Sequence, residues 1–324
     1  MLLGAGLSLR RSAHSIPSSL RRGRPRIIVN LFLTPRFSST TTITNNFLHD
    51  PSRQVYLSRI ADESSASAFI AKLVLNRPKA NAMGAQFMRE FQECLSVLEE
   101  KTDSSSLPSF SPRCVILTSS NDKVFCAGAD LKERAAMTLD EAEQCVDMLR
   151  STMERVARLP MPVLASIEGV AVGGGLELAL AADIRIASTD AALGLPETSL
   201  AIIPGAGGTQ RLSRLVGVAR AKELIWTGRR IGGQEAFDYG LVQKVVSPGQ
   251  ALQSSLEIAN RIASHGPIAI QAAKEAIDSG IRETDMDNAL KVERRCYAKT
   301  LPTQDRLEGL VAFRERRKPE YKGH

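Results

Sequence analysis

The sequence predicts an α/β fold with an all-helical C-terminal portion, and three observations carry that prediction. Between Arg113 and Val246 the order strand, Gly-rich turn, helix, strand recurs, which is the pattern of a core built with crossover connections. Beyond Pro248 only helical spacing is left, with Leu252, Leu256, Ala259 and Ala263 on one stripe and Leu307, Leu310 and Val311 on another. The chain has 324 residues, 43% hydrophobic and 24% charged, which is enough apolar material for one large globular unit and too much for disorder.

Residues 1–45 stand apart. They carry Arg10, Arg11, Arg21, Arg22, Arg24, Arg26 and Arg36 with no Lys, Asp or Glu, and they are rich in Ser and Thr, the composition of an organelle transit peptide. Its end is expected near Arg36 or within Ser38–Thr44. A disordered basic tail is the alternative reading. The formal net charge of +7 resides in this segment, so the remaining body is close to neutral and has no global field to attract nucleic acid. The expected address is the mitochondrial matrix, with the chloroplast stroma as the alternative because both kinds of leader share this composition.

The body opens with two strand-like runs, Val55–Leu57 and Ala68–Leu75, joined by a polar link and closed by Arg77-Pro78, which reads as a hairpin. After Asn81 the period becomes helical, with Phe87, Met88, Phe91, Leu95 and Leu98 on one face. Thr102–Pro112 reads as a surface loop, Arg113–Thr118 as a strand and Cys126–Asp130 as a turn. A long helix over Leu139–Leu159 stops before Pro160 and Pro162, which cannot continue it. Val163–Ile167 is a buried type of strand. It leads through Gly169 and Gly173–Gly175 into a short apolar helix, Leu176–Ala182, and then a strand, Ile184–Ala187. Short helices ending at Gly217, Gly228 and Gly240 precede a last strand, Leu241–Val246. The expected division is therefore 1–45, leader; 46–249, α/β core; 250–324, helical region.

Several chemistries are excluded by the residues. Neither Gly173–Gly175 nor Gly205–Gly208 satisfies G-x-G-x-x-G, and the P-loop and G-x-S-x-G patterns are absent. Five scattered cysteines, Cys94, Cys114, Cys126, Cys145 and Cys296, argue against disulfides and structural zinc. His265 is the one histidine well inside the body, so a histidine triad or metal site lacks material. No apolar stretch reaches the ~18 residues of a membrane-spanning helix.

What is left is two glycine-dense turns before helices and two glutamates. Glycines at a helix start let the backbone approach a ligand, and the first N–H groups have no internal partner, so Gly173–Gly175 suits an oxygen that becomes negative during reaction. Close packing of helix on strand explains the same glycines equally well. Glu177 falls in the first turn of the short apolar helix, where the helix dipole stabilises a carboxylate by about 0.3–1 kcal/mol. Leu176, Leu178, Ala179 and Leu180 imply that it is buried, and a buried carboxylate needs partners or a task. Glu197, in Leu195–Thr198, is a second candidate or a simple helix cap.

The stretches Phe125–Lys132, Gly169–Ala179, Gly194–Glu197 and Ile203–Leu212 together resemble the enoyl-CoA hydratase/isomerase (crotonase) family, and the similarity runs in order from about Val55 to the C-terminal end. The resemblance implies a crotonase-like spiral of ββα units and a helical C-terminal region that assembles homotrimers or homohexamers. It implies an acyl-CoA thioester as substrate and no metal or redox cofactor, coenzyme A being part of the substrate. By position it makes the N–H groups of Ala129 and Gly174 an oxyanion hole and Glu177 and Glu197 the catalytic pair. Substrate contacts are implied for Ala127, Asp130, Leu131, Lys132, Gly173 and Gly205, with Lys132 in reach of a CoA phosphate.

Relatives that only shift a double bond keep the carboxylate matching Glu197 and lack the one matching Glu177, so retention of both implies a hydratase acting in fatty-acid or branched-chain amino-acid breakdown. Leu200–Pro204, Ala221–Ile225 and Cys296–Gly323 resemble the branch that contains methylglutaconyl-CoA hydratase of leucine breakdown. Some members of that branch bind RNA through a lysine-rich early helix. The matching segment Gly84–Lys101 has Arg89 and Lys101 against Glu90, Glu93, Glu99 and Glu100, which cannot form a phosphate track. An RNA-binding protein with a vestigial pocket is thus the alternative of another class, and neither nucleic acid nor membrane is an expected partner.

Overall fold

The computed structural model describes residues 50–62, 65–99 and 112–324, so the expected leader and most of the expected loop Thr102–Pro112 lie outside the described residues. The first strands, β1 (Val55–Asp62) and β2 (Ser65–Leu75), pair antiparallel from Val55↔Leu75 to Ala61↔Phe69. Both arms are longer than the apolar runs that announced them. Backbone pairing carries the strands through residues with no apolar signal.

Helix α1 (Ala85–Glu99) buries Phe87, Met88, Phe91, Leu95 and Leu98, the stripe expected of it, and Cys94 beside them. Then come β3 (Cys114–Ser119), β4 (Val124–Cys126), the short α2 (Leu131–Arg134) and the long α3 (Leu139–Ala157). The start of α3 is set by a capping box, in which Thr138 accepts from the Glu141 N–H and Glu141 accepts from the Thr138 N–H. The middle of the chain is β5 (Val163–Ile167), β6 (Val170–Val172), α4 (Gly174–Ala181), β7 (Ile184–Ser188), β8 (Ala192–Gly194) and a 3-10 turn at Glu197–Leu200. It continues through α5 (Gly208–Val216), α6 (Val218–Thr227), β9 (Ile231–Gly232), α7 (Gly233–Asp238) and β10 (Lys244–Val246). Four helices end the chain: α8 (Ala251–Ala263), α9 (Pro267–Gly280), α10 (Met286–Ala298) and α11 (Gln304–Glu315).

Two sheets organise these elements. The larger runs β1-β2-β3-β5-β7-β10 and the smaller β4-β6-β8-β9. Each turn of the chain gives one strand to the large sheet, the next to the small sheet, and then a helix: β3, β4 and α2–α3; β5, β6 and α4; β7, β8 and the helices after them. Successive strands within a sheet are parallel, β3 with β5 and β5 with β7 in one, β4 with β6 and β6 with β8 in the other. This is a spiral of ββα units, the α/β architecture expected from the sequence.

The small sheet went unforeseen. Its strands are two or three residues long, below the length at which alternation can be read. The last predicted strand is also corrected. Only Lys244–Val246 joins β7, while Leu241 and Val242 are buried in the core without strand pairing.

Helix α8 covers the large sheet, Ala251 and Ala259 packing with Ile70, Cys114, Ile116, Leu164 and Ile186. By packing it belongs with the α/β core, although its sequence is as helical as the tail that follows. Helices α9 and α10 have a small cluster of their own, Ala272, Val292 and Cys296. A bond from Lys274 Nζ to Asp183 Oδ2 (2.8 Å) ties α9 to the residue preceding β7.

Candidate active site

The turn after β4 is pinned to the loop before α1. Ala127 N–H donates to Ala80 O (3.0 Å), Met83 N–H to Gly128 O (2.8 Å) and Asp130 N–H to Met83 O (3.3 Å). Asn81, fully buried, steadies both segments by donating from Nδ2 to Ser119 Oγ (2.8 Å) and Phe125 O (2.9 Å). The bridge between Met83 and Ala129 uses the Gly128 carbonyl and the Asp130 N–H, and Ala129 N–H makes no hydrogen bond within the described residues. Gly174 begins α4, and its N–H has no intrahelical acceptor.

These two amides are brought together by the absence of side chains. A Cβ on Gly128, where φ is +87°, would stand 3.0 Å from Gly174 N, and a Cβ on Gly174 would stand 3.7 Å from Ala129 N. Packing and ligand approach, the alternatives open for Gly173–Gly175, turn out to be divided among the three. Gly175 is needed for packing, since its Cβ would meet Cys126 O at 2.0 Å, whereas a Cβ on Gly174 would stand beside Ala129 N.

Glu177 is the fourth residue of α4 and is only 3% exposed. Its Oε1 accepts from Ala206 N–H and Gly208 N–H, both at 2.8 Å, so the second glycine-rich turn wraps its carboxylate. Burial pushes its titration above the ordinary carboxylate value, opposed by those two N–H groups and the charges of Arg211 and Arg150. Glu197 opens the 3-10 turn, and its carboxyl lies against Gly173, where φ is +55° and a Cβ would come within 3.2 Å of Glu197 Oε1. Its Oε2 is buried with no hydrogen-bond partner. Burial pushes it up to about 7, helped by the charge of Glu177 and opposed by its own N–H and by Arg134. The two carboxyls therefore feel each other across the Gly173–Gly174 corner. The arrangement can accept a proton at one point and supply one at another, beside amides able to take a negative oxygen.

These shifts have a consequence for stability. Where folding raises a carboxyl's titration point, the native protein holds a proton that the unfolded chain has released. The stabilisation is complete below about 4.5 and is lost as pH rises through about 7. Glu197→Gln is expected to flatten part of that decline and to melt above the wild type near pH ~8, as read by thermal denaturation over a pH series. Equal melting temperatures there would count against an ionised Glu197 buried in this pocket.

The other expected contact residues are less uniform. Ala127 and Gly173 are half-buried beside the paired amides. Asp130 is engaged elsewhere, its carboxylate accepting from Arg77 Nη2 (2.6 Å) and from the Lys132 and Glu133 N–H groups at the start of α2. Leu131 is 54% exposed and Lys132 is also exposed on α2. Gly205 is a packing glycine, its Cβ position lying 2.8 Å from Val146 Cγ1, and its carbonyl accepts from Arg150 Nε (3.1 Å). Sequence reasoning missed Met83 and Asn81, which brace the turn, and the donors at Ala206 and Gly208. Only the last two carried a signal, their place in a glycine-rich turn.

Residues 65–324 match the family described as enoyl-CoA hydratase/isomerase. "Probable enoyl-CoA hydratase 2, mitochondrial" of Arabidopsis thaliana is 47% identical over 275 residues, 85% of this chain and 87% of that protein. Human "Methylglutaconyl-CoA hydratase, mitochondrial" is 49% identical over 215 residues, covering 65% of this chain and 63% of its own length. A crystal structure of enoyl-CoA hydratase from Bacillus anthracis superposes with a TM-score of 0.76 at 49% identity, over 84% of this chain and all of the other. The paired glutamates, the free amides and the ββα spiral thus sit in a chain that belongs to the enoyl-CoA hydratase/isomerase family.

Proposed function

We propose that this protein adds water across the 2,3 double bond of an enoyl-CoA to give a 3-hydroxyacyl-CoA. The observation that carries the reading is the convergence of a buried carboxyl, Glu177, and a half-buried one, Glu197, on one corner, beside two amides with no partner among the described residues. Ala129 and Gly174 N–H hold the thioester oxygen, which makes carbon 3 electrophilic. An oxyanion donor of this kind is worth about 2.7–4 kcal/mol.

Glu177, kept as a carboxylate by Ala206 and Gly208, takes a proton from water as the water oxygen bonds to carbon 3. Glu197, whose titration burial pushes up to about 7, delivers a proton to carbon 2. Proton return from Glu177 to Glu197 resets the pair. Loss of the enoyl-thioester absorbance of crotonyl-CoA on adding purified protein tests the reading. An unchanged absorbance with crotonyl-CoA, a long-chain enoyl-CoA and methylglutaconyl-CoA alike would exclude it.

Methylglutaconyl-CoA is the second substrate to consider, supported by the human relative and by one cation. Its extra carboxylate needs a positive partner, and Arg134 on α2 bears on Glu197 without an ion pair of its own among the described residues. Under this reading Arg134→Met raises KM for methylglutaconyl-CoA by about tenfold or more, the loss of one charge-assisted contact, and leaves crotonyl-CoA hydration near wild type. Equal effects on both substrates would return the assignment to simple enoyl-CoA.

Assembly and address complete the proposal. The C-terminal helices expose Ile277, Tyr297 and Leu310 in the lining of a groove of about 620 Å³, and Ile281 and Phe313 are exposed on the same region, which supports a homotrimer or homohexamer built there. The Arg-rich, acid-free leader and the mitochondrial designation of relatives support import into mitochondria.

A further inference from the structure

Glu177 is gripped by the loop before α5, and that loop is itself held from its far side by one side chain. Arg211 on α5 reaches back to donate from Nη1 to Ala206 O (3.2 Å) and from Nη2 to Glu154 Oε2 on α3 (3.0 Å). Glu154 also takes Arg158 Nε at 2.7 Å, so the anchor is fixed on α3. Between the two donors stands Gly207 with φ of +106°, and a Cβ there would lie 2.2 Å from Arg211 Nη1. The guanidinium rests on a bare Cα where any side chain would displace it.

The peptide joining Ala206 to Gly207 lies between the two peptides whose N–H groups reach Glu177 Oε1. A guanidinium fixed on its carbonyl restricts both donors at once. We propose that Arg211, anchored by Glu154, is a positioning residue for the reaction: it holds the Ala206–Gly208 loop in the conformation that grips Glu177. The inference rests on the reading of Glu177 as the group that activates water.

Charge acts in the same direction as geometry. The charged groups that bear on Glu177 are Arg211 from α5, Arg150 from α3 and Glu197 from the 3-10 turn, and those around Arg211 are Glu154 and Arg282. The two arginines favour the ionised carboxylate, while Glu197 opposes it when ionised.

The test is a titration of the full-length protein carrying ¹³C at the glutamate carboxyls, with the Glu177 signal identified by its loss in Glu177→Gln. In Arg211→Met the Glu177 midpoint is expected to move to higher pH, because a facing cation is lost and its donors loosen. The acid side of the kcat/KM profile moves with it, so hydration at mildly acid pH falls about tenfold more than at alkaline pH. Arg211→Lys keeps the charge but lacks the fork needed for two acceptors, so it restores most of the midpoint and less of kcat.

Glu154→Gln, on the exposed side of the bridge, weakens the anchor while leaving the Arg211 charge in place, so kcat is expected to fall severalfold while the midpoint moves less than in Arg211→Met. It carries the test if Arg211→Met fails to fold. An unmoved or lowered midpoint in Arg211→Met, a wild-type kcat in Glu154→Gln, or a uniform loss of rate at all pH values in Arg211→Met would overturn the proposal. The titration needs no substrate, so a wild type inert toward enoyl-CoA would refute the hydratase reading while the Arg211 arrangement is still tested.

Discussion

Glu177→Gln is expected to lower turnover by about 10²-fold or more while thioester binding persists, and Glu197→Gln to do the same for a different reason. At Glu177 the glutamine carbonyl can still accept from Ala206 and Gly208 N–H, so the loop stays in place and the fold survives. What is lost is the ability to accept a proton from water. At Glu197 the oxygen with no hydrogen-bond partner becomes part of an amide that cannot release a proton to carbon.

The paired amides at Ala129 and Gly174 are untouched in both variants, so affinity for a non-reacting acyl-CoA should change little. The two changes also differ in their side effects, since Glu197→Gln removes a buried group that resists ionisation and should stabilise the fold at alkaline pH. The measurement is steady-state hydration of crotonyl-CoA alongside direct binding of a saturated acyl-CoA. Near-normal turnover in either variant would remove that glutamate from the chemistry. Loss of binding in both would mean that the carboxyls hold the ligand and do not act on it.

Gly175→Ala is expected to have the largest effect on the fold of any single methyl added to the site. Its Cβ would stand 2.0 Å from Cys126 O and 2.6 Å from Cys126 C, atoms of the backbone at the end of β4. Neither can rotate away, so α4 and the 127–130 turn must separate. Overpacking of this kind costs about 1–3 kcal/mol or more, and about 2–4 °C in Tm for each kcal/mol in a chain of this size class.

The same displacement pulls Gly174 N–H away from Ala129 N–H, so hydration should fall with Tm. Gly174→Ala is a useful contrast, because the obstacle to its Cβ, at 2.5 Å, is the terminal Cε of Met83, which can swing aside. It should cost less stability and still crowd the thioester oxygen. Gly232→Ala, with nothing within 4 Å of the added methyl and an ordinary φ of −76°, is the control expected to melt like wild type. Wild-type melting and turnover in Gly175→Ala would refute the close approach of α4 to β4 on which the amide pair depends.

Much of this site could be read before any coordinates. Glu177 was marked by apolar neighbours on every side, and Gly173–Gly175 by their place before a helix, because both signals lie within one short stretch of chain. The ambiguity between packing glycine and ligand glycine was real and had a local answer for each residue. Gly175 meets Cys126 and Gly174 faces Ala129, a distinction that depends on which strand lies opposite. At Asp130 and Gly205 the structure shows partners within the chain that the sequence did not announce. Asp130 is tied to Arg77 and Gly205 is pressed on Val146.

By itself the sequence determined the alternation that makes an α/β core, the placement of the long helices and the two glutamates available for acid–base work, because burial period, capping and helix-stopping prolines act over a few residues. Only the tertiary structure decided that two- and three-residue strands form a second sheet, that α8 lies on the core, and that the N–H groups holding Glu177 come from 29 and 31 positions away. Those features depend on long-range pairing, where a strand too short to show a period, or a backbone N–H that every residue possesses, leaves no mark in composition or spacing.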